Sequence, residues 1–160
     1  MAKAAKIEKT NVMRLLEQAG IPYTPHFYDP EQTVGTEVAK LLGQKAECVF
    51  KTLVTVGADG GHYVFVIPVA ESLDLKKAAG AAGVKSVAML KQKELLPLTG
   101  YVHGGCSPVG MKKPFPTWID ETALLTEAFF CSAGRLGAQI GVEAEALCAY
   151  IGGEFADLTE

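Results

Sequence analysis

Apolar and polar positions along this chain switch repeatedly between helical and extended periods, and most switches are bounded by glycine or proline. Val12, Leu15, Leu16 and Ala19 make one helical stripe behind Thr10, with Gly20 and Pro22 beyond it, so a helix capped by Thr10 is expected over 11–19. Residues 23–28 alternate as a strand that Pro22 and Pro25 push to a sheet edge. A short helix over 36–42 is closed by Gly43. The clearest hairpin joins a strand over 48–56 to one over 63–69 through the glycine-rich turn 57–61. A small-sided helix capped by Ser72 or Asp74 runs to Ala82. A strand over 84–89 and a brief helix over 92–96, broken by Pro97, come next. Strands over 117–119, 128–132 and 138–142, a helix over 143–151 and a closing strand over 155–158 complete the pattern. Many strands among short helices predict an α+β fold built on a mixed, curved sheet. Regular βαβ alternation and a GxGxxG turn are both absent, which argues against dinucleotide binding.

Composition narrows the class. With 160 residues, 49% of them hydrophobic, the chain suits one domain over 1–160. No apolar run reaches the roughly 18–20 residues of a membrane span, and residues 1–10 lack a signal-peptide core, so a cytoplasmic protein with no membrane partner is expected. Cys48, Cys106, Cys131 and Cys148 are scattered without a CxxC pair, which suggests free thiols and neither a metal site nor a cofactor. The net charge of −3 is unevenly spread: residues 114–160 carry Arg135 alone against eight acids. Residues 1–113 are net basic, and Lys76, Lys77, Lys85, Lys91, Lys93, Lys112 and Lys113 form a set able to touch phosphates, or simply a solvated surface.

Two segments carry candidate chemistry. Gly104, Gly105 and Gly110, with Ser107 and Pro108 between them, make a loop whose amides can form a concavity for an anion or a carbonyl. Lys51 interrupts the apolar strand over 48–56, sharing a face with Val49 and Leu53, and must reach a polar pocket or snorkel to water. Protein nucleophiles are scarce. His26, His62 and His103 sit in no triad or HExxH pattern, and Cys106 in the glycine loop is the one tempting thiol.

Three ordered motifs together resemble the YbaK/EbsC family, small relatives of the editing domain inserted in bacterial prolyl-tRNA synthetases. They are Phe50-Lys51-Thr52-Leu53-Val54, Leu73-Asp74-Leu75-Lys76-Lys77-Ala78-Ala79, and Thr99-Gly100-Tyr101 leading into the 104–110 loop, followed by the turn Ser132-Ala133-Gly134-Arg135. The resemblance spans nearly the whole chain and implies a barrel-like sheet of six or seven strands surrounded by short helices. It also implies a trans-acting enzyme that removes cysteine from mischarged Cys-tRNA(Pro), the substrate's own thiol attacking its ester. Carried across, Lys51 is the catalytic residue. Tyr28, Thr52 and the backbone of Gly104 and Gly105 line the substrate pocket, and Ser107, Pro108 and Gly110 hold the loop at the substrate. Ala133 stands where many relatives have a second glycine. The implied partners are aminoacyl-tRNA, weakly held, and prolyl-tRNA synthetase in a transient complex. Editing of Ala-tRNA(Pro), or a non-catalytic module binding tRNA or a synthetase, are the alternatives.

Overall fold

The computed structural model describes residues 8–160. Helix α1 (Asn11–Gln18) begins where Thr10 Oγ1 accepts the Met13 amide at 3.3 Å. It buries Val12, Met13 and Leu16. Met13 thus joins the inward stripe, and Ala19 lies exposed beyond the helix end. The remaining helices are α2 (Gly35–Leu41), α3 (Leu75–Ala82), α4 (Gln92–Thr99) and α5 (Ala144–Tyr150). Asp74 rather than Ser72 caps α3, accepting from the amides of Lys76 and Lys77. Pro97 does not break α4 as expected. The helix continues for another half turn, Thr99 Oγ1 donates to the Leu95 carbonyl at 2.8 Å, and Gly100 at φ +86° ends it.

The strands are β1 (Tyr23–Phe27), β2 (Phe50–Gly57), β3 (His62–Pro68), β4 (Val87–Met89), β5 (Thr117–Asp120), β6 (Phe129–Ser132), β7 (Ala138–Val142) and β8 (Glu154–Ala156). They form two sheets, of order β4-β2-β3-β5-β8 and β1-β7-β6. The first is mixed, β5 running parallel to both β3 and β8. Among the described residues there are thus eight strands where six or seven were expected, and the barrel is not closed. Among the described residues, the parallel bridge Val49–Phe130 is the one backbone bridge between the sheets. Residues 46–48 form a 3-10 turn, so β2 starts at Phe50 instead of at Cys48.

Between the sheets lies the main core, where Val12, Met13 and Leu16 of α1 meet Phe50, Val66, Ile119, Phe129, Ile140 and Leu147. A second cluster covers the other face of the five-stranded sheet, with α3 packed over Phe65 and Ile67. Covering both faces makes β3 apolar throughout its centre, which is why Val64–Ile67 read as a continuous run rather than an alternation. Among the described residues, no helix is long and apolar enough to cross a membrane.

Candidate active site

Strand β4 pairs with β2 only from Thr55 to Gly57, leaving the β2 edge from Val49 to Leu53 without that neighbour. A cavity of about 340 Å³ opens along this edge. Lys51, Thr52 and Leu53 all line it although their side chains alternate between faces, so the cavity wraps around the strand edge rather than lying over one face. Its other walls are Tyr28, Val34 with Gly35 and Val38 at the start of α2, Leu95 of α4, His103, Gly104 and Cys106 of the glycine loop, Cys131 and Ser132 of β6, and Gln139 of β7.

Lys51 is the cation of this cavity. Among the described residues its Nζ makes no hydrogen bond or ion pair. Burial pulls its ammonium below the usual lysine value of 10.5, and the charge of Glu71 pulls it partly back. Beside it, Thr52 Oγ1 is buried with no partner, an orphan that a ligand's polar atom would satisfy. The Tyr28 hydroxyl is pushed up by burial, which keeps the phenol neutral at the cavity wall.

The structure divides the expected glycine-loop residues into two groups. Gly104, at φ +85°, reaches the cavity, and a side chain there would both adopt a strained backbone and strike Leu136 at 2.9 Å. Gly105 does not line the cavity. Its amide donates to the Val102 carbonyl at 3.0 Å and its Cα faces the Arg135–Leu136 backbone, so the structure sets it apart from Gly104. Ser107, Pro108 and Gly110 also lie outside the cavity wall. Ser107 Oγ accepts the Val109 amide at 3.2 Å, and Gly110, at φ +75°, packs against Tyr101 and Leu15. These residues shape the loop. They are placed behind the cavity because the loop folds onto the β6–β7 turn through contacts between segments about 30 residues apart.

The wall also recruits residues with little local signal. His103 sits in no triad or HExxH pattern, Gln139 and the start of α2 read as ordinary strand and helix residues, and Ser132 stands out only as the first residue of the 132–135 turn. Gln139 is 4% exposed and accepts a hydrogen bond from Gln44 Nε2 at 2.8 Å.

The two cavity thiols are held neutral. Burial pushes Cys106 and Cys131 up to about 12, far from the thiolate a nucleophile needs. Native protein at pH 8 is expected to take up iodoacetamide at these two cysteines much more slowly than unfolded protein, read by mass spectrometry. Cys106→Ala and Cys106→Ser should both keep turnover within a few-fold of the parent. Rapid native labelling of Cys106, with activity lost in both variants, would restore a covalent thiol route. Because the folded state holds these protons more tightly than the unfolded state, their contribution to stability is complete below pH 9 and is lost as pH rises towards 12.

Residues 29–149 match the family model of the aminoacyl-tRNA editing domain. The chain belongs to that family. An editing enzyme of this kind is an aminoacyl-tRNA deacylase, and the relatives agree. A protein of Enterococcus faecalis provisionally named Cys-tRNA(Pro)/Cys-tRNA(Cys) deacylase EbsC is 47% identical over 99% of this chain and 98% of its own. The proline–tRNA ligase of Shouchella clausii is 31% identical over 86% of this chain, which corresponds to 23% of the ligase. A crystal structure provisionally described as a trans-editing enzyme for prolyl tRNA synthetase superposes with a TM-score of 0.82 at 28% identity, covering 96% of this chain and 99% of its own. The lysine strand, the glycine loop and every cavity-lining residue except Tyr28 fall within the matched residues.

Proposed function

We propose that this editing enzyme acts in trans on Cys-tRNA(Pro), releasing cysteine by attack of the substrate's own sulfur on its ester, as a single editing domain over 1–160 working in the cytoplasm. The observation that carries the reading is a cavity with an unpaired cation and no protein nucleophile ready to use. Among the described residues Lys51 makes no ion pair, the charge of Glu71 acting on it only from a distance, and both cavity thiols are held protonated. The name of the Enterococcus relative supports the choice of cysteine.

A cysteinyl ester brings its own thiol, with an ordinary pKa of about 8.5, so a few per cent is thiolate at neutral pH. Sulfur attacks the ester carbonyl, a carbon–sulfur bond forms, and the carbon–oxygen bond to the terminal ribose breaks. The proton given up by the thiol ends on the leaving ribose oxygen, and cysteine departs as a cyclic thiolactone. Lys51 stabilises the oxyanion or grips the terminal phosphate, and Gly104 leaves room for the ester to approach the loop. Tyr28 and Thr52 offer neutral hydrogen-bonding groups to the aminoacyl end. Holding sulfur and carbonyl in a near-attack pose can contribute several kcal/mol, up to about 7–11 in the best intramolecular cases.

Deacylation rates on Cys-, Ser-, Ala- and Pro-tRNA test the reading. Cys-tRNA should be cleaved at least tenfold faster than Ser-tRNA, and alkylating the substrate sulfur should abolish turnover. Equal rates on Ser-tRNA or faster cleavage of Ala-tRNA would reject the sulfur route. The partner expected beyond the substrate is prolyl-tRNA synthetase, joined transiently, because an acidic protein selects tRNA poorly by long-range attraction.

A further inference from the structure

We propose that the outer side of α4 and the turn at 112–113 form a track for the phosphates of the RNA acceptor stem, contacted by Lys91, Lys93, Lys112 and Lys113. The inference rests on the proposed aminoacyl-tRNA substrate and assigns where its RNA lies once the aminoacyl end is in the cavity.

The seven lysines of the basic set separate in the fold. Lys77 is engaged by the C-terminal segment, its Nζ donating to Asp157 Oδ1 at 3.1 Å and to the Thr159 carbonyl at 2.7 Å. Lys76 lies on α3 and Lys85 just after it, and neither α3 nor that turn contributes to the cavity wall. The other four lie at the two ends of α4, the helix that reaches the cavity through Leu95. Leu95 makes α4 a wall of the cavity, Lys91 is the residue capping that helix, and Lys93 stands in its first turn. Lys112 is fastened to the opposite end of the same helix. Its amide donates to the Thr99 carbonyl at 3.0 Å, its Nζ to the Pro97 carbonyl at 3.5 Å, and its aliphatic stem lies against Gly100. Lys113 follows it, and all four are exposed.

Charge and length both suit a nucleic-acid backbone. Glu94 is the one acid within α4, which leaves this rim strongly positive. The rim formed by α2 is close to neutral, since Lys40 is paired with Glu37 at 3.4 Å. Eight residues of helix extend about 12 Å, enough to run beside roughly three or four phosphates of one strand. A substrate whose ester sits between Lys51 and Gly104 must lead its RNA out over some part of the rim, and this part offers cations in a row.

Changing all four residues to glutamine, K91Q/K93Q/K112Q/K113Q, should weaken binding of uncharged tRNA(Pro) by about 10–100-fold at 50 mM salt and flatten its salt dependence, measured by fluorescence anisotropy. The control K76Q/K85Q should stay within twofold of the parent. In deacylation, the fourfold variant should lose at least ten times more kcat/KM on Cys-tRNA(Pro) than on cysteinyl-adenosine, which has no stem. Unchanged tRNA binding in the fourfold variant, or an equal loss in the control, would overturn the track while leaving the substrate assignment standing. Failure of the parent to cleave any aminoacyl-tRNA would reject the substrate assignment instead, and the anisotropy comparison would still decide the track.

Discussion

Lys51→Ala is expected to lower kcat/KM for deacylation by about 10²–10³-fold, the loss typical of removing one donor to a developing oxyanion. Lys51→Met should lose as much, because it keeps the apolar stem and removes only the charge. Neither variant should be less stable in thermal unfolding. Burial lowers the folded-state pKa of Lys51, so its charged form opposes folding at neutral pH, and that opposition fades as pH rises through the lowered value and is gone only above the ordinary 10.5. The same shift sets the pH profile. Where Lys51 must be charged, kcat/KM of the parent falls on the alkaline side at a pH below the 10.5 of an ordinary lysine, and Lys51→Met lacks that limb. A Met variant with near-parental turnover would remove Lys51 from the chemistry and leave it as a packing residue.

Phe129→Ala should have the largest effect on the fold. Phe129 is fully buried on β6 and meets the ring of Phe50 on β2 edge-on at a centroid distance of 5.2 Å. This contact joins the two sheets next to the backbone bridge Val49–Phe130. Removing the ring should destabilise by about 3–5 kcal/mol and lower the thermal midpoint by roughly 10 °C in a chain of this size. Phe50, Cys131 and Ser132 line the cavity, so activity should also fall at temperatures where the variant remains folded. A midpoint within 2 °C of the parent would show that the seam draws its stability from elsewhere.

Both variants concern the same region, since the cavity sits where the sheets meet. This arrangement explains why the barrel is left open. Closing β2 against β6 along its whole length would cover the edge from Val49 to Leu53, from which Lys51 and Thr52 reach the ligand space.

The elements themselves were largely legible, because burial on one face imposes a period that glycine, proline and capping residues punctuate. Thr10, the 57–61 turn and the strands around Phe65 and Ile140 stood out for that reason. Errors fell where a local rule met a tertiary override. Pro97 costs one helical hydrogen bond, yet α4 continues past it to Thr99, and Cys48 has strand character but is drawn into a 3-10 turn before β2. Lys51 was legible as a cavity residue because a charge inside an apolar strand demands a polar destination. Gly104 was legible because a glycine cluster offers open backbone, although local pattern could not separate it from Gly105, whose amide the turn consumes.

Local sequence determined the period of each element, its caps and the presence of a misplaced cation. The assembly of one cavity from α2, β2, α4, the glycine loop, β6 and β7, and the recruitment of His103, Ser132 and Gln139 to its wall, was decided only in three dimensions. Side-chain alternation and capping act over a few residues, whereas the contacts that set the two sheets against each other join residues as distant as Phe50 and Phe129.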